Sequence, residues 1–314
     1  MNANQTSVTF PRLCFVIGKG GVGKTTIAGS LALAQARAGK RVALVEIETQ
    51  QYAALFGVPI NYSGSVVAPH LTAIALTPRD AFREYVIRRL GSETLYKVFD
   101  NRFVHFFLDA IPGLSDLMCL GKLWQMCTQE SWDAIVVDLP ATGHGIGFLA
   151  VPHLITGVVQ IGPLYTQARA MQAMLRDHAL VGAVIVTLCE ELPVQETIEL
   201  AQAITAHDIG IHSIVANRIV PPPLPEDLRT QWQSLRATLQ DPTLTALGHA
   251  ADFFLEQFAN QEEQLAVLRE RFGAQLRQLP QCTTLTSLEK CAALAEQIRA
   301  WNGRNAARSK RVTR

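Results

Sequence analysis

The chain has 314 residues, of which 48% are hydrophobic and 18% charged, and its formal net charge is +1. A chain of this length can bury a sizeable core, and so balanced a charge excludes a strong field for nucleic acid or an anionic membrane. The six cysteines form no C-x-x-C pair, so neither a zinc site nor a disulfide framework is expected. The polar N-terminus lacks a signal-peptide pattern. We therefore expect a cytoplasmic protein that does not bind nucleic acid.

Short apolar segments alternate with helical patterns along the chain. Segments that are apolar at consecutive positions predict strands covered on both faces, and their alternation with helices predicts a parallel sheet with right-handed crossovers. The expected fold class is α/β, with a doubly wound, mainly parallel central sheet and flanking helices. The predicted strands are 13–17, 41–47, 71–76, 133–139, 182–188, 212–218 and 274–280, and the first predicted helices are 26–39 and 78–90.

Other segments complete the predicted domain organisation. Residues 84–130 look helical and irregular, which predicts a small helical subdomain inserted in a single domain over 12–300. Residues 226–272 predict a helical region solvated on one face, and 301–314 predict a basic, flexible tail. Residues 139–168 contain no Asp, Glu, Lys or Arg. Because glycines and prolines interrupt them, we expect a buried or partner-facing segment there and not a membrane span.

A glycine-rich loop follows the first predicted strand and precedes a helix. The stretch from Gly18 to Thr25, GKGGVGKT, matches the phosphate-binding pattern G-x-x-x-x-G-K-[ST] in full. Its glycines let several backbone N–H groups point at one anion, and the helix start adds its positive dipole end. Lys24 is expected to contact the β- and γ-phosphates, and the Thr25 hydroxyl to ligate Mg²⁺. The nucleotide-binding residues predicted here are Gly18, Gly20, Gly21, Val22, Gly23, Lys24, Thr25 and Thr26.

Three carboxylates lie at or near the ends of predicted strands. Asp138 follows the run AIVV at a strand's carboxyl end, where ligands bind in open α/β sheets, and we expect it to hold Mg²⁺ through water. Glu46 and Glu48 close the second predicted strand, and a spacing of two would place both carboxylates on one face. One would contact water bound to Mg²⁺, and Glu48 is assigned to the attacking water. The alternatives are a helix cap for Asp138 and a merely polar strand end for the two glutamates.

Lys19 adds a second lysine to the loop, and GKGGVGKTT resembles the deviant Walker A motif of the SIMIBI nucleotidases, a class of P-loop NTPases. Further segments resemble the arsenical-pump (ArsA) and tail-anchored-protein-targeting ATPases. The resemblance covers nearly all of residues 12–300. The segments that carry it are LTAIALTPRDAFREY, IPGLSDLMCLGKL, DLPATGHGIGFLAVP, ELPVQETIEL and VANRIVP.

The resemblance implies roles for particular residues. Lys19 would reach across a homodimer to the partner's nucleotide and act on developing phosphate charge as an arginine finger does. Asn217 would recognise the adenine of ATP, with a strand-end turn residue as the alternative. His144 would belong to a second switch, with a structural loop histidine as the alternative. The switch residues implied are Glu46, Thr142, Gly143 and His144.

The resemblance also implies a function with Mg²⁺ and ATP as cofactors. We expect a nucleotide-switched homodimeric ATPase that couples hydrolysis to anion or metalloid transport, or to handling of a hydrophobic, integral-membrane client. Its location would be cytoplasmic, or peripheral at the membrane. After the second strand, residues 48–51 read ETQQ where the family has D-P-A-H. The C-x-x-C pair that bridges a eukaryotic-type dimer through zinc is missing. The interval from 138 to 182 is short, whereas targeting factors insert a long helical client-binding subdomain there. These departures favour a compact bacterial-type member with an unassigned partner.

Two other classes remain open from the sequence. A positioning ATPase of the MinD or ParA type would use membrane or DNA as its substrate, and the amphipathic segment 287–300 could then meet a membrane. That segment reads more readily as a terminal helix packed on the core. An iron–sulfur reductase would need cysteines near both switches. Cys119 could serve near one of them, but residues 138–150 contain none.

Overall fold

The computed structural model describes residues 10–90, 112–140, 142–237, 242–283 and 285–311. The strands are β1 Leu13–Ile17, β2 Val42–Ile47, β3 Ser65–Ala68, β4 Leu71–Leu76, β5 Ala134–Asp138, β6 Val181–Leu188, β7 Ile211–Ile219 and β8 Leu276–Pro280. The helices are α1 Lys24–Arg37, α2 Gln51–Phe56, α3 Pro78–Leu90, α4 Leu114–Gln129, α5 Thr142–Val158, α6 Pro163–Leu175, α7 Glu191–Ala206, α8 Glu226–Ala237, α9 Pro242–Phe272 and α10 Ser287–Arg311.

Within these ranges the strands form one sheet in the order β3-β4-β2-β5-β1-β6-β7-β8. All neighbouring pairs are parallel except the antiparallel pair of β3 and β4. From β1 the chain extends the sheet toward β2 on one side and toward β6 on the other, so the connections leave β1 in opposite directions. This is the topology in which a ligand site forms at the carboxyl ends of the central strands. The predicted α/β fold with a mainly parallel sheet is confirmed.

Helices cover both faces of the sheet, which explains why its central strands are apolar at consecutive positions, apart from Glu46 on β2 and Asp138 on β5 near the strand ends. Strands β1, β2 and β5 are buried along their whole length. On one face α4 to α6 contribute Leu117, Phe148 and Met171 to the core, and on the other α1 and α10 contribute Ile27 and Ile298. Full burial of each such side chain stabilises the fold by about 1.5–3 kcal/mol. The site described below therefore lies at the ends of central strands that are packed on both faces.

The seven predicted strands are present with boundaries shifted by no more than two residues. Strand β3 was missed, since it is a half-buried edge strand without a continuous apolar run. The described part of the predicted insertion at 84–130 includes α4, which packs into the main core, while 91–111 lie outside the described residues. Helix α10 continues to Arg311, beyond the predicted domain end at 300. The domain limits and the flexible tail remain predictions.

The uncharged segment 139–168 contains all of α5 and the start of α6. One face of α5 is buried through Phe148, Leu149 and Ile155. Leu154 on the same helix is exposed. None of the described helices is long and apolar enough to cross a membrane.

Candidate nucleotide-binding and hydrolysis site

The glycine-rich loop lies between β1 and α1, and two of its glycines are required by close contacts. A Cβ on Gly18 would lie 2.3 Å from the carbonyl oxygen of Val186 on β6. Gly23 has φ +96°, and a Cβ there would lie 2.5 Å from Nδ2 of Asn217. Both distances are far below van der Waals contact. The loop can therefore lie this close to β6 and β7 only because these positions lack side chains.

Lys24 and Thr25 open α1 and point toward the carboxylate of β5. The Lys24 ammonium donates to the backbone carbonyl of Lys19 at 3.0 Å. Burial lowers the pKa of Lys24, and the nearby Asp138 carboxylate opposes that shift. Thr25 Oγ1 lies 2.7 Å from Asp138 Oδ2 and 2.7 Å from Gln51 Oε1, so one hydroxyl proton is shared between two acceptors. The Thr25 hydroxyl thus contacts Asp138, the carboxylate that the sequence analysis assigns to the metal, and Lys24 lies near enough to interact with its charge.

Asp138 is a buried carboxylate with one satisfied and one unsatisfied oxygen. Oδ2 accepts from Thr25 and, at 3.3 Å, from the hydroxyl of the fully buried Tyr52. Oδ1 has no hydrogen-bond partner among the described residues. Burial raises the pKa of Asp138 to about 6, although Thr25, Lys24 and Tyr52 each favour the charged form. A charge held in this way is stabilised by a cation beside the free oxygen.

Glu46 lies beside Asp138, because β2 and β5 are neighbours and these two residues are paired in register. Its side chain is fully buried. Oε2 accepts from the Thr49 hydroxyl at 3.1 Å and from the Tyr52 backbone N–H at 3.2 Å. Oε1, like Asp138 Oδ1, has no partner among the described residues. Burial is the main cause that raises the pKa of Glu46.

These oxygens fit a magnesium ion better than a metal held by protein ligands alone. The described residues contain no group of three His, Cys, Asp or Glu able to hold a metal. Mg²⁺ is typically held by one or two protein oxygens, phosphates and several waters. Two buried carboxylate oxygens without a partner beside the glycine-rich loop would suit such partial coordination.

The structure corrects the prediction that Glu46 and Glu48 share one face. Strand β2 ends at Ile47, and Glu48 has φ +56°, so the two-residue alternation of a strand does not extend to it. Glu46 is buried in the sheet while Glu48 is exposed. The Glu48 backbone N–H still donates to the Leu76 carbonyl at 3.1 Å, which fixes where the turn begins.

Asn217 lies at the carboxyl end of β7 and contacts the loop directly. Its Nδ2 donates to the Val22 carbonyl at 2.8 Å, and the neighbouring Arg218 donates to the Gly21 carbonyl at 3.0 Å. A cavity of about 350 Å³ opens beside these residues. Its walls combine the start of α1, the end of β7, the segment after β8 and the start of α10, through Gly23, Thr26, Asn217, Arg218, Gln281, Cys282 and Lys290.

The sequence is similar to those of known ATPases. The family described as anion-transporting ATPase matches residues 11–163. ATPase BagA of Mycobacterium tuberculosis is 35% identical over 243 residues, which cover 69% of this chain and 68% of that protein. The chain belongs to the ArsA family of ATPases. ATPase GET3 of Malassezia globosa is 24% identical over 247 residues, with 67% and 73% of the two chains covered. ATPase GET3 of Mycosarcoma maydis is 24% identical over 282 residues, covering 78% and 82%.

An ArsA-family ATPase binds and hydrolyses ATP, and the loop, Asp138 and both glutamates lie within the region that the family shares. Lys19 stands apart from the other site residues. Its side chain is 52% exposed and its ammonium contacts Glu196 on α7 instead of turning inward beside Lys24. Thr26 opens α1 with the loop, and its carbonyl accepts from Ser30 at 2.6 Å.

The predicted switch residues Thr142, Gly143 and His144 begin α5, and their side chains lie outside the described residues. The sequence reasoning missed the side chains of Gln51, Tyr52, Arg218 and Glu196. Each lies in or beside a segment already singled out: Arg218 follows Asn217, Gln51 and Tyr52 lie in or next to ETQQ, and Glu196 lies in ELPVQETIEL. Their individual contacts could not be predicted, because each joins segments that are distant in sequence.

Proposed function

We propose that this ATPase works as a nucleotide-switched homodimer that uses Mg²⁺-ATP. The observation that carries the proposal is the contact of Thr25 Oγ1 with Asp138 Oδ2 at 2.7 Å, beside a carboxylate oxygen without a partner. Thr25 and, through water, Asp138 would hold Mg²⁺. The ion would neutralise charge that develops on the phosphates during hydrolysis. The backbone N–H groups of the loop and Lys24 would bind the phosphates themselves.

Glu48 is proposed to orient the attacking water. It directly follows β2 at the same edge of the sheet as the loop, and its side chain is exposed, so it could approach a nucleotide. Its positive φ supports this role, because a strained backbone at a glutamate costs about 1–3 kcal/mol and is typical of functional sites. Glu46, in contrast, is buried and fixed by Tyr52 and Thr49, so we assign it to the water shell of the metal.

Lys19 supports the dimer. Its exposed ammonium takes no part in its own subunit's phosphate cradle, which Lys24 already serves. A second subunit facing the loop would receive this cation on its own phosphates, where charge develops in the transition state. Each site would then be complete only in the dimer.

Asn217 is proposed to select adenine. Because Nδ2 already donates one proton to the Val22 carbonyl, the orientation of the amide is fixed. Oδ1 is left to accept from the exocyclic amine of adenine, and the second Nδ2 proton is left for a ring nitrogen. A guanine presents a carbonyl oxygen at the same place and would be rejected.

The partner is proposed to be a hydrophobic client or an integral-membrane protein that meets the surface after the switch. Leu154 and Val158 on α5 are 59% and 83% exposed, and Ile161, three residues after the helix ends, is 85% exposed. Such an exposed apolar patch is typical of an interaction site. Hydrolysis would release the start of α5 and change this surface.

Metalloid or anion transport remains the second possible output, because the family that the chain matches is described as anion-transporting. No described cluster of three metal-binding side chains supports it, and Cys119 is fully buried with its pKa raised by burial. A MinD-type membrane role for α10 is also disfavoured. The face of α10 that carries Cys291, Leu294 and Ile298 is buried against α1.

The site assignment is tested by ATP hydrolysis. Lys24→Ala should abolish phosphate release, and Glu48→Gln should retain ATP binding with a rate lowered by at least tenfold. Wild-type activity in the Lys24 variant would overturn the assignment of the loop. Arsenite or antimonite that stimulates the wild-type rate would favour the transport output over the client.

The client surface is tested with Glu48→Gln as a trap for the ATP-bound state. Photo-crosslinking should capture proteins with a hydrophobic segment only when ATP is present. Adding Leu154→Ser and Val158→Ser should remove this capture and leave ATP binding intact. The matched control is Leu247→Ser, which changes an equally exposed leucine on α9. If the protein with Leu154→Ser and Val158→Ser captured as much as the Leu247→Ser control, the proposed client surface would be wrong.

A further inference from the structure

The two lysines of the glycine-rich loop point in different directions. Lys24 turns inward and donates to the backbone of its own loop. Lys19 turns outward, and its ammonium forms an ion pair with the carboxylate of Glu196 on α7. The proposed function leaves Glu196 without a role. It is nonetheless the one described carboxylate that forms an ion pair with the lysine on which a crossed dimer depends.

Glu196 sits on a helix that is firmly anchored to the sheet. The Thr187 hydroxyl of β6 donates to the Pro193 carbonyl at 3.1 Å, and Thr197 beside the glutamate is buried. The small space between the loop and α7 is closed by apolar groups that include Val22 and Leu200, and it has no room for a water. The helix backbone that carries Glu196 is therefore held against the sheet, and Glu196 is the less exposed member of the pair.

We propose that Glu196 is a positioning residue that holds Lys19 on its own subunit until a partner with bound ATP arrives. Closing of the dimer would exchange the Glu196 carboxylate for the partner's phosphates, which carry more negative charge. Without nucleotide there are no phosphates to replace the Glu196 carboxylate, so breaking the ion pair costs free energy with no compensation. The pair therefore disfavours dimers that lack nucleotide. This inference rests on the proposed function, because it assumes that Lys19 crosses between subunits.

The size of the effect follows from the exposure of the pair. The Lys19 and Glu196 side chains are 52% and 22% exposed, and such surface pairs are weak and reversible. Two of them break in each symmetric dimer. Removing both should therefore tighten the dimer roughly twofold to thirtyfold.

The first test measures the dimer. Glu196→Gln keeps the shape of the side chain and removes its charge. Sedimentation velocity with Mg²⁺ and adenylyl imidodiphosphate should give a dissociation constant lowered by roughly twofold to thirtyfold. Glu196→Ala should lower it at least as much. Glu199→Gln is the matched control, since Glu199 lies on the same helix, is exposed and bonds only Gln195 among the described contacts. It should leave the dissociation constant unchanged.

A double-mutant comparison shows whether Glu196 acts through Lys19. In a Lys19→Ala background, Glu196→Gln should no longer change the dissociation constant, because the coupled partner is gone. An unchanged or weakened dimer in the single variant would overturn the proposal. A tightening that persists without Lys19 would overturn it as well.

A second readout does not depend on the dimer. In nucleotide-free monomer, the acetylation rate of Lys19 by an N-hydroxysuccinimide ester should rise in Glu196→Gln and not in Glu199→Gln. If Lys19 were acetylated at the same rate in both variants, Glu196 would not restrain it and the proposal would be wrong. If wild-type protein fails to dimerise with nucleotide, the proposed function is wrong, and this labelling result still decides whether Glu196 restrains Lys19.

Discussion

The buried carboxylate of Asp138 predicts that the metal-free protein is destabilised by its own active site. Burial raises the pKa of Asp138 from 3.8 to about 6. At roughly 1.4 kcal/mol per unit, the ionised group costs the fold about 3 kcal/mol at neutral pH. Asp138→Asn removes the charge and keeps an oxygen that can accept from Thr25 and Tyr52. The new amide N–H would be buried without a partner, which would offset about 1 kcal/mol of the stability gained by removing the charge.

We therefore expect Asp138→Asn to be more stable than the wild type by about 1–2 kcal/mol at pH 8 in EDTA, and to hydrolyse no ATP. Urea unfolding followed by tryptophan fluorescence measures the free energy of unfolding. Because the pKa of this acid is higher in the folded than in the unfolded state, the cost is complete above pH 6 and shrinks as the pH falls toward 4. At pH 5 roughly half of it should remain.

Glu199→Gln again serves as the control, since loss of an exposed charge should change stability by no more than about 0.5 kcal/mol. A destabilised Asp138→Asn protein at pH 8 would refute the reasoning. A stability difference that does not vary between pH 8 and pH 5 would refute it too, because the gain must follow the ionisation of the wild-type carboxyl. Saturating Mg²⁺-ATP should reverse the order of stabilities, since only the wild type binds the ion well.

Three further changes test the site. Asn217→Ala should weaken ATP binding roughly tenfold to hundredfold and GTP binding less, measured by calorimetry, because the adenine contact and the bond to the loop are both lost. Tyr52→Phe removes a donor that lowers the pKa of Asp138, so the acid limb of the ATPase pH profile should move to higher pH. Gly18→Ala places a Cβ 2.3 Å from the Val186 carbonyl oxygen, so nucleotide binding should be lost.

Each of these predictions has a result that would contradict it. Equal losses of ATP and GTP affinity in Asn217→Ala would mean that the amide only supports the loop. An unmoved acid limb in Tyr52→Phe would mean that Asp138 does not control it. Gly157→Ala is the control for the glycine change, since a Cβ there meets nothing within 4 Å, and normal binding in Gly18→Ala would mean that the loop does not need this close approach.

The sequence by itself determined the parts of this protein whose signals are local. The phosphate loop is contiguous, and the strand before it and the helix after it follow from the same short stretch, so the roles expected for Lys24 and Thr25 required no knowledge of the sheet. The central strands were also predictable, because burial on both faces leaves an uninterrupted apolar run. The α/β class follows from the alternation of these runs with helices.

Only the tertiary structure decided which side chains meet. The separation of Glu46 from Glu48 depends on where β2 ends, and a positive φ one residue later is not visible in the composition. Tyr52 reaches Asp138 across 86 residues of sequence, and Lys19 reaches Glu196 across 177. Such contacts depend on strand register and helix packing, which are properties of the whole core. Local sequence therefore determined the glycine-rich loop, while strand register and helix packing determined which side chains contact it.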